Sequence, residues 1–374
     1  MCGLCSCREP ASHAGRRACG SVAKGGSRRG VAQIASFTPM KVAVHSGPGE
    51  IRLEDRRTPR IGPGELLVRV RGCGLCGSDL AKLRNPGRLP AVLGHEVIGE
   101  IAEIGQGAGT FRLGERVVVA HHVPCFACHY CRRGSFSMCR AFKESNLDPG
   151  GFAEYVRVPA ENVGHATFRV PAHVPDAVAS FTEPLGCCVR AIRRTGIGPG
   201  DTVVVVGIGA IGGLLVQLAV RAGARVLGTD LVAARCDLAR ALGATAAVEP
   251  LAVAGALADL TAGRGADCVI PTVGTPTVVR EALAWARDGG AVHLFVGEGE
   301  VPLPVGEIYR RELTLKATYS SSPADLREAF ELICEGVIRV AELCSHRLPL
   351  ARLLEAVTLM ERREALKVYV EVAG

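Results

Sequence analysis

The stretch that most constrains the fold of this chain is DTVVVVGIGAIGGLLVQLAVRAGARVLGTD at residues 201–230. It reads as a buried strand, a glycine-rich turn, an apolar helix and a second strand. Further helix and strand patterns alternate after it, as far as AVHLFVGE at residues 291–298. Because parallel strands need helical crossovers, this alternation predicts an α/β fold with a parallel, doubly wound sheet.

The glycine-rich turn indicates a nucleotide-binding site. It follows a run of four valines and opens an apolar helix, which is the context in which a G-x-G-x-x-G motif binds a dinucleotide. The helix N-terminus presents free N–H groups and a positive dipole end to a pyrophosphate. The alternative is a structural turn without a ligand. The predicted cofactor-binding residues of the turn are Gly207, Gly209, Ala210, Ile211 and Gly212.

Asp230, which lies 23 residues after Gly207, predicts which dinucleotide binds. Its carboxylate would accept hydrogen bonds from the adenosine ribose and repel a 2′-phosphate, so NAD is favoured over NADP. Arg235, five residues further along, could soften that preference. We therefore expect a Rossmann-type NAD-binding domain over residues 186–322.

The rest of the chain divides into three parts. Residues 40–185 contain short alternating or Val- and Ile-rich runs between Gly and Pro turns, which predicts a mostly antiparallel β domain. Residues 323–374 end in the strand-like KVYVEV and are expected to pack back on that domain. Residues 1–39 lack a hydrophobic period, so we expect them either to be disordered or to precede a true start at Met40.

Composition excludes several classes of partner. The net charge is +7, but only 4% of residues are aromatic and no basic stripe is present, so nucleic-acid binding is not indicated. There is no run of about 18 apolar residues that would suggest a membrane span, and no secretory signal is visible. We therefore expect a cytoplasmic protein without a membrane partner.

Four cysteines lie within 15 positions and are spaced C-x2-C-x2-C-x7-C. Both disulfides and metal ligation suit closely spaced thiols. Sixteen cysteines in a chain of 374 residues without an export signal favour metal ligation, because disulfide frameworks are typical of short secreted chains. The predicted ligands of a tetrahedral zinc ion are Cys125, Cys128, Cys131 and Cys139.

A second group of potential metal ligands is dispersed along the chain. Cys76 lies in GCGLCGSDL, and His95 and Glu96 lie in LGHEVIGE. Glu183 lies in SFTEPLGC. Each alone has an ordinary interpretation as a core residue. Together, a Cys, a His and a carboxylate supply three ligands and leave one position open, which is the arrangement of a catalytic zinc site.

These motifs occur in the order typical of the zinc-containing medium-chain alcohol and polyol dehydrogenases, which residues 40–374 resemble. The resemblance is closest to the sorbitol, threonine and butanediol dehydrogenase branch, where a Glu stands in place of a second Cys ligand. It implies a GroES-like catalytic domain and hydride transfer between a small secondary alcohol or polyol and NAD. It also implies a homodimer or homotetramer, with ELTLKATYS as a candidate edge strand for pairing.

The resemblance further implies two zinc ions per chain. A catalytic ion would be bound by Cys76 and His95, with Glu96 and Glu183 as exchangeable ligands that act directly or through water. The four-cysteine segment would hold a closed structural ion that catalyses nothing. Because four sulfurs are already available, the neighbouring histidines are interpreted as flanking residues and not as ligands: His121, His122 and His129.

Two residues close to Cys76 have implied roles in the reaction. Asp79 would orient His95, and Ser78 would pass the alcohol proton outward. Members of the family often place a His five residues after the ligand Cys to end this proton relay. That position is Ala81 here, so the relay must end in water or at a carboxylate.

Three alternatives remain open at the level of the sequence. The chain could bind NAD and zinc without catalysis, or it could be a zinc-free quinone or enoyl reductase of the same fold, although both cysteine sets argue against the latter. The cysteine-rich head could also serve as a redox or metal sensor. The substrate is not identified, because the sequence does not fix the positions of the loops that form the pocket. The cations near Cys76 could face a polar or phosphorylated substrate, but the favoured interpretation is a solvated loop: Lys82, Arg84 and Arg88.

Overall fold

The computed structural model describes residues 39–85, 87–297 and 299–372. The predictions for residues 1–39 therefore lie outside the described residues, apart from Pro39. The described chain forms three sheets with helices between and around their strands.

The strands, in chain order, are β1 Pro39–Gly47, β2 Glu50–Arg57, β3 Leu66–Gly74, β4 Ala91–Val92, β5 Glu96–Ile104, β6 Arg116–Val119, β7 Tyr155–Val158, β8 Thr167–Arg169, β9 Thr202–Val206, β10 Arg225–Thr229, β11 Ala246–Val248, β12 Ala266–Pro271, β13 Ala286–Leu294, β14 Thr314–Ala317, β15 His346–Pro349 and β16 Val368–Glu371.

The α-helices are α1 Gly77–Arg84, α2 His129–Arg132, α3 Arg140–Glu144, α4 Ala160–His165, α5 Asp176–Ala179, α6 Thr182–Thr195, α7 Ala210–Arg221, α8 Ala233–Ala241, α9 Val253–Thr261, α10 Pro276–Trp285, α11 Val305–Arg310, α12 Pro323–Cys334 and α13 Leu353–Glu361. Short 3₁₀ helices occur at Phe136–Met138, Pro250–Ala252, Ala341–Leu343 and Leu350–Arg352.

A six-stranded parallel sheet has the order β11-β10-β9-β12-β13-β14 and confirms the predicted doubly wound fold. All five residues of the central strand β9, TVVVV, are buried, as expected for a parallel strand whose two faces are both covered. The strand order reverses between β9 and β12, and ligands of such sheets bind at this kind of switch point. The predicted edge segment ELTLKATYS contains β14, which does lie at the end of this sheet.

A seven-stranded sheet confirms the predicted mostly antiparallel β region. It has the order β15-β16-β3-β5-β6-β8, and β7 also pairs with β3. Only the β15–β16 pair is parallel among these pairings. Because β16 pairs with β3, the end of the chain returns to the strand that leads into Cys76. A smaller antiparallel sheet, β2-β1-β4, completes this part of the molecule.

Helix α6 connects the two large sheets. It packs against α7 and α12 and also contacts β5 and β13. One hydrophobic core therefore runs from Ile98 and Phe168 in the antiparallel sheet to Val203 and Leu214 beside the glycine-rich turn. The predicted domain boundary at residue 185 falls inside this helix, so the division of the chain into domains at residues 39, 185 and 322 stays a prediction.

Candidate active site

The four clustered cysteines lie together in a segment between β6 and β7, the four-cysteine lobe. The Sγ atoms of Cys128 and Cys131 are 3.5 Å apart, and so are those of Cys125 and Cys139. All four sulfurs lie within 4.8 Å of one another, and all four residues are free thiols. Zn–S bonds of about 2.3 Å in a tetrahedron place sulfurs about 3.8 Å apart, so this geometry fits a zinc ion.

The surroundings of Cys139 favour its thiolate form. Burial opposes ionisation, but the backbone N–H groups of Cys125 and Phe142 stabilise the negative sulfur and lower its pKa. Phe136 and Phe142 pack against the sulfurs in a small apolar cluster of their own. The lobe thus combines an ionisable ligand with a local core that holds it in place.

The dispersed ligands are brought together by two adjacent strands. β3 and β5 pair antiparallel with Gly74 opposite Glu96, which places Cys76, just beyond β3, beside His95, just before β5. The ligand atoms of Cys76, His95 and Glu96 lie within 4.8 Å of one another. A Cβ atom on Gly74 would lie 1.9 Å from Oε2 of Glu96, so only glycine leaves room for this carboxylate. With Glu183, these ligands form the Cys76–His95 centre.

Asp79 holds the centre together from inside helix α1. Its fully buried carboxylate lies 3.4 Å from Nδ1 of His95 and accepts the backbone N–H groups of Gly94 and Cys76. Burial opposes a charge on His95, but Asp79 and the Cys76 sulfur outweigh it and raise the His95 pKa well above its ordinary value. A hydrogen bond from Nδ1 to Asp79 fixes the tautomer that leaves Nε2 free to bind a metal.

Glu96 is paired with a lysine that the sequence did not indicate. Nζ of Lys367 lies 2.5 Å from Oε1 of Glu96, and both side chains are almost completely buried. Burial opposes the lysine charge, but Glu96 and Cys76 more than compensate and raise the Lys367 pKa. Oε2 of Glu96 is buried without a hydrogen-bond partner among the described residues. A buried acceptor of this kind suits a metal ion, so the donor set fits zinc.

Glu183, in the first turn of α6, reaches the same centre. Its carboxylate lies within 4.8 Å of the ligand atoms of His95 and His121. Burial raises the pKa of Glu183, and its Oε1 accepts a hydrogen bond from Sγ of Cys187 at 3.5 Å. The structure therefore brings both predicted carboxylates close to His95. Glu96 lies there with Cys76, and Glu183 lies there with His121.

His121, which the sequence analysis interprets as a residue that flanks the four sulfurs, lies beside His95 of the Cys76–His95 centre. Its ring centroid is 4.6 Å from that of His95 and 3.7 Å from that of His122. Nδ1 of His121 is buried and has no hydrogen-bond partner within the described part of the chain. His122 is different, because its Nδ1 lies 2.7 Å from the carbonyl oxygen of Ser145. Of the two histidines that follow β6, His121 thus lies at the Cys76–His95 centre and His122 lies towards the lobe.

Ser78 lies at the entrance to helix α1 and contacts the centre. Its hydroxyl donates a hydrogen bond to Sγ of Cys76 at 3.3 Å, and the side chain is exposed. Ala81 is half-buried on the same helix. A proton leaving the centre through Ser78 would therefore reach solvent directly.

The glycine-rich turn has the shape of a phosphate cradle. Gly207 has φ of +87°, and a Cβ there would lie 2.5 Å from Oγ1 of Thr272. A Cβ on Gly212 would lie 2.0 Å from the carbonyl oxygen of Gly207. Gly209, the N-cap of α7, differs because a Cβ on it would meet no protein atom within 4 Å. The protein itself does not require a glycine at that position, which indicates that the space serves a ligand.

Asp230 follows β10 and lies beside this turn. Its two carboxylate oxygens accept backbone N–H groups, Oδ2 from Ile208 at 2.7 Å and Oδ1 from Val232 at 3.0 Å. The guanidinium of Arg235 is 3.8 Å from Asp230 and is also hydrogen-bonded to the carbonyl oxygen of Arg363 at 2.7 Å. Asp230 is therefore fixed by the turn, and Arg235 is held by the C-terminal segment.

One cavity of about 530 Å³ joins the turn to the Cys76–His95 centre. The residues that line it include Gly209, Asp230 and Arg235 from the region of the turn, and Cys76 and Lys367 from the region of the centre. This volume is in the range of sites for cofactors and small molecules. A dinucleotide on the turn and a metal on Cys76 would therefore face the same space.

Two family models match the chain. The alcohol dehydrogenase GroES-like domain covers residues 62–169, and the zinc-binding dehydrogenase domain covers residues 210–335. A sorbitol dehydrogenase from Halalkalibacterium halodurans is 31% identical over 87% of this chain and 97% of its own length. The chain belongs to the zinc-containing medium-chain alcohol and polyol dehydrogenases.

Two further proteins support the same assignment. An L-threonine 3-dehydrogenase from Bacillus licheniformis is 33% identical over 83% of this chain and 92% of its own length. A zinc-binding dehydrogenase from Sinorhizobium meliloti, solved with bound NADP, is 31% identical with a TM-score of 0.81 over 90% of this chain and 100% of its own. This dehydrogenase is accordingly an oxidoreductase with a GroES-like part and a Rossmann-type part.

Two residues of the dehydrogenase site are not identified by the sequence patterns. Lys367 lies 271 positions from Glu96, and its only signal is a charged residue at the edge of the apolar run KVYVEV. His121 directly precedes the four-cysteine motif, so the sequence pattern assigns it to that motif and not to the centre. A signal that could identify His121 is the preceding strand RVVV. This strand pairs antiparallel with β5, so its end lies beside the start of β5, where His95 is.

None of the described helices of this dehydrogenase combines the length and apolar character that a membrane span requires.

Proposed function

We propose that this dehydrogenase oxidises a secondary alcohol group of a polyol or related hydroxy compound, with NAD as the hydride acceptor. One observation carries the proposal: Cys76 of the Cys76–His95 centre and the glycine-rich turn line the same cavity. A metal and a dinucleotide held there would place an alcohol carbon and a nicotinamide side by side, which is the positioning that hydride transfer needs.

Cys76 and His95 would hold the catalytic zinc, and either Glu96 or Glu183 would supply a third ligand. Bound zinc supplies Lewis acidity, which makes the alcohol proton easier to remove. Asp79 orients His95, and Lys367 neutralises Glu96 so that two carboxylates can approach one site. Ser78, exposed and hydrogen-bonded to Cys76, would pass the released proton to water.

The four-cysteine lobe would hold a second, structural zinc ion. Four thiolates leave no position for a substrate, and the lobe is separate from the walls of the cavity. A zinc site of four thiolates needs its cysteines in the reduced form, so a cytoplasmic location is part of this proposal.

NAD is proposed over NADP because of Asp230. A 2′-phosphate on the ribose would approach a carboxylate that backbone N–H groups already fix in place. Arg235 could bind such a phosphate, but its guanidinium is held by Arg363 and by Asp230 itself. The preference is a point to measure, since the relative from Sinorhizobium meliloti was solved with NADP.

The substrate class rests on the relatives, whose names specify sorbitol and threonine. Both compounds carry a secondary hydroxyl beside another polar group. A homodimer or homotetramer is proposed from β14, whose outer edge has no strand beside it in the described chain.

The test is NADH formation by zinc-loaded protein offered polyols, vicinal diols, threonine and simple alcohols, each with NAD and with NADP. We expect turnover with one class and a higher kcat/KM for NAD. Asp230→Ser should narrow the difference between the cofactors, while Asp237→Ser, on exposed α8, should leave it unchanged. Two bound zinc ions and bound NAD without any turnover would favour a protein that binds both and does not catalyse.

A further inference from the structure

We propose that His121 is a fourth protein ligand of the catalytic metal. The proposal rests on the proposed function, because it assumes a metal at the Cys76–His95 centre. It assigns to this chain a site of one sulfur, two imidazoles and one carboxylate, which is closed until a substrate competes for the fourth position.

The first observation is the position of the His121 ring. Its ligand atom lies within 4.8 Å of those of His95 and Glu183. Zn–N bonds of about 2.0–2.1 Å in a tetrahedron put two nitrogens about 3.4 Å apart, so a bound ion requires only a small closure of this group. His95 belongs to both groups of neighbours, with Cys76 and Glu96 in one and His121 and Glu183 in the other. His95 is therefore the residue that the two groups share, and we place the ion at its imidazole.

The second observation is the state of the His121 ring nitrogens. Nδ1 is buried and finds no donor or acceptor in the described ranges. A buried polar atom without a partner is destabilising, so such atoms usually mark a ligand, an ion or a water. The rings nearest His121 belong to His95 and His122, and no hydrogen bond joins His121 to either of them within the described chain.

The backbone on either side of His121 holds the ring in this place. The N–H of Ala120 donates to the carbonyl oxygen of Ala166, and the N–H of Val123 donates to Oγ of Ser145. His122 is fixed by its contact with the Ser145 carbonyl, so it cannot turn towards the metal without losing that bond. The two adjacent histidines therefore form a natural pair for comparison.

The competing interpretation is that His121 only packs between two other rings. The substitution His121→Phe distinguishes a ligand from a packing residue, because a phenyl ring keeps the packing and removes both nitrogens. His122→Phe is the matched control, because it changes the adjacent ring in the same way. The protein is made with ring-deuterated histidine, loaded with Co2+ and examined by ²H NMR, in which only imidazoles bound to cobalt show strong contact shifts. The cysteines of the lobe contribute nothing to this count.

We expect two cobalt-bound imidazoles in the wild type, one in His121→Phe and two in His122→Phe. Cobalt should also leave the centre of His121→Phe at least about tenfold faster in the presence of a chelator, since even indirect partners change metal affinity by about 10–100-fold. One bound imidazole in the wild type, unchanged in His121→Phe, would overturn the proposal and leave the proposed function intact.

Absence of any bound imidazole in the wild type would contradict the metal centre itself, and the proposal would fall with it. If His121→Phe does not fold, His121→Ala with the same count replaces it. A cobalt-to-protein ratio that falls by one in Cys76→Ala shows that the ion being counted is at the Cys76–His95 centre.

Discussion

The four-cysteine lobe and the Cys76–His95 centre are both proposed metal sites, but the chain builds them in opposite ways. The lobe takes its ligands from 15 consecutive positions and surrounds them with its own small core. The centre takes Cys76, His95 and Glu183 from two strand ends and a helix, and balances Glu96 with a lysine near the end of the chain. A local site can fold around its metal, whereas the centre depends on the whole molecule.

The comparison predicts that the largest loss of activity comes from the centre. Cys76→Ser should lower kcat/KM by about 1000-fold or more, because Lewis-acid stabilisation contributes several kcal/mol to the transition state. The zinc content should fall from two ions to one while the circular dichroism spectrum is retained. Activity within tenfold of the wild type would remove Cys76 from the reaction.

Breaking the buried pair should cost stability as well as activity. Lys367→Met leaves Glu96 buried and unpaired, and should destabilise the fold by about 3–5 kcal/mol. The control is Lys41→Met, which removes an exposed pair with Asp55 and should change stability by about 1 kcal/mol or less. Urea unfolding measures both. Equal losses in the two variants would show that the Glu96–Lys367 pair is not special, and Lys367→Met combined with Glu96→Gln should recover part of the loss.

A smaller change tests how tightly the centre is packed. Gly74→Ala brings a methyl group against Oε2 of Glu96 and should weaken metal binding at the centre by about tenfold or more, with the lobe metal retained. The control is Gly164→Ala in α4, where a Cβ meets nothing within 4 Å. Competition with a chelator, followed by metal counting, distinguishes them. Equal affinities would mean that Glu96 does not contribute to the metal site.

The smallest effect on turnover is expected from the lobe. Cys128→Ser should release one zinc ion and lower Tm by on the order of several degrees, because a structural metal contributes folding free energy. Freshly prepared protein should keep most of its kcat, since the lobe does not line the cavity. A collapse of kcat as large as that of Cys76→Ser, in folded protein, would contradict the division of roles.

The difference between the regions also explains what the sequence could predict. The parallel sheet, the glycine-rich turn and the four cysteines are local patterns, so the residues of each one are enough to predict it. The pairing of β3 with β5 explains why Cys76 and His95 meet, and that pairing is a property of two separated segments.

Long-range contacts account for what the sequence does not predict. Lys367 reaches Glu96 only because β16 pairs with β3, and the position of the ring of His121 depends on the register of β6 against β5. Helix α6 likewise carries Glu183 in its first turn and packs in the core that joins both sheets. Sequence periodicity does not specify such contacts.

The most direct test of the account follows the hydrogen that is transferred. The best substrate is prepared with deuterium on the carbon that bears the reacting hydroxyl, and the NADH formed by zinc-loaded protein is analysed by mass spectrometry. The account predicts one deuterium in each NADH, slower turnover than with the unlabelled substrate, and loss of both signals in Cys76→Ser but not in Cys128→Ser. Unlabelled NADH, or no NADH from protein that holds both zinc ions, would contradict direct hydride transfer at the Cys76–His95 centre.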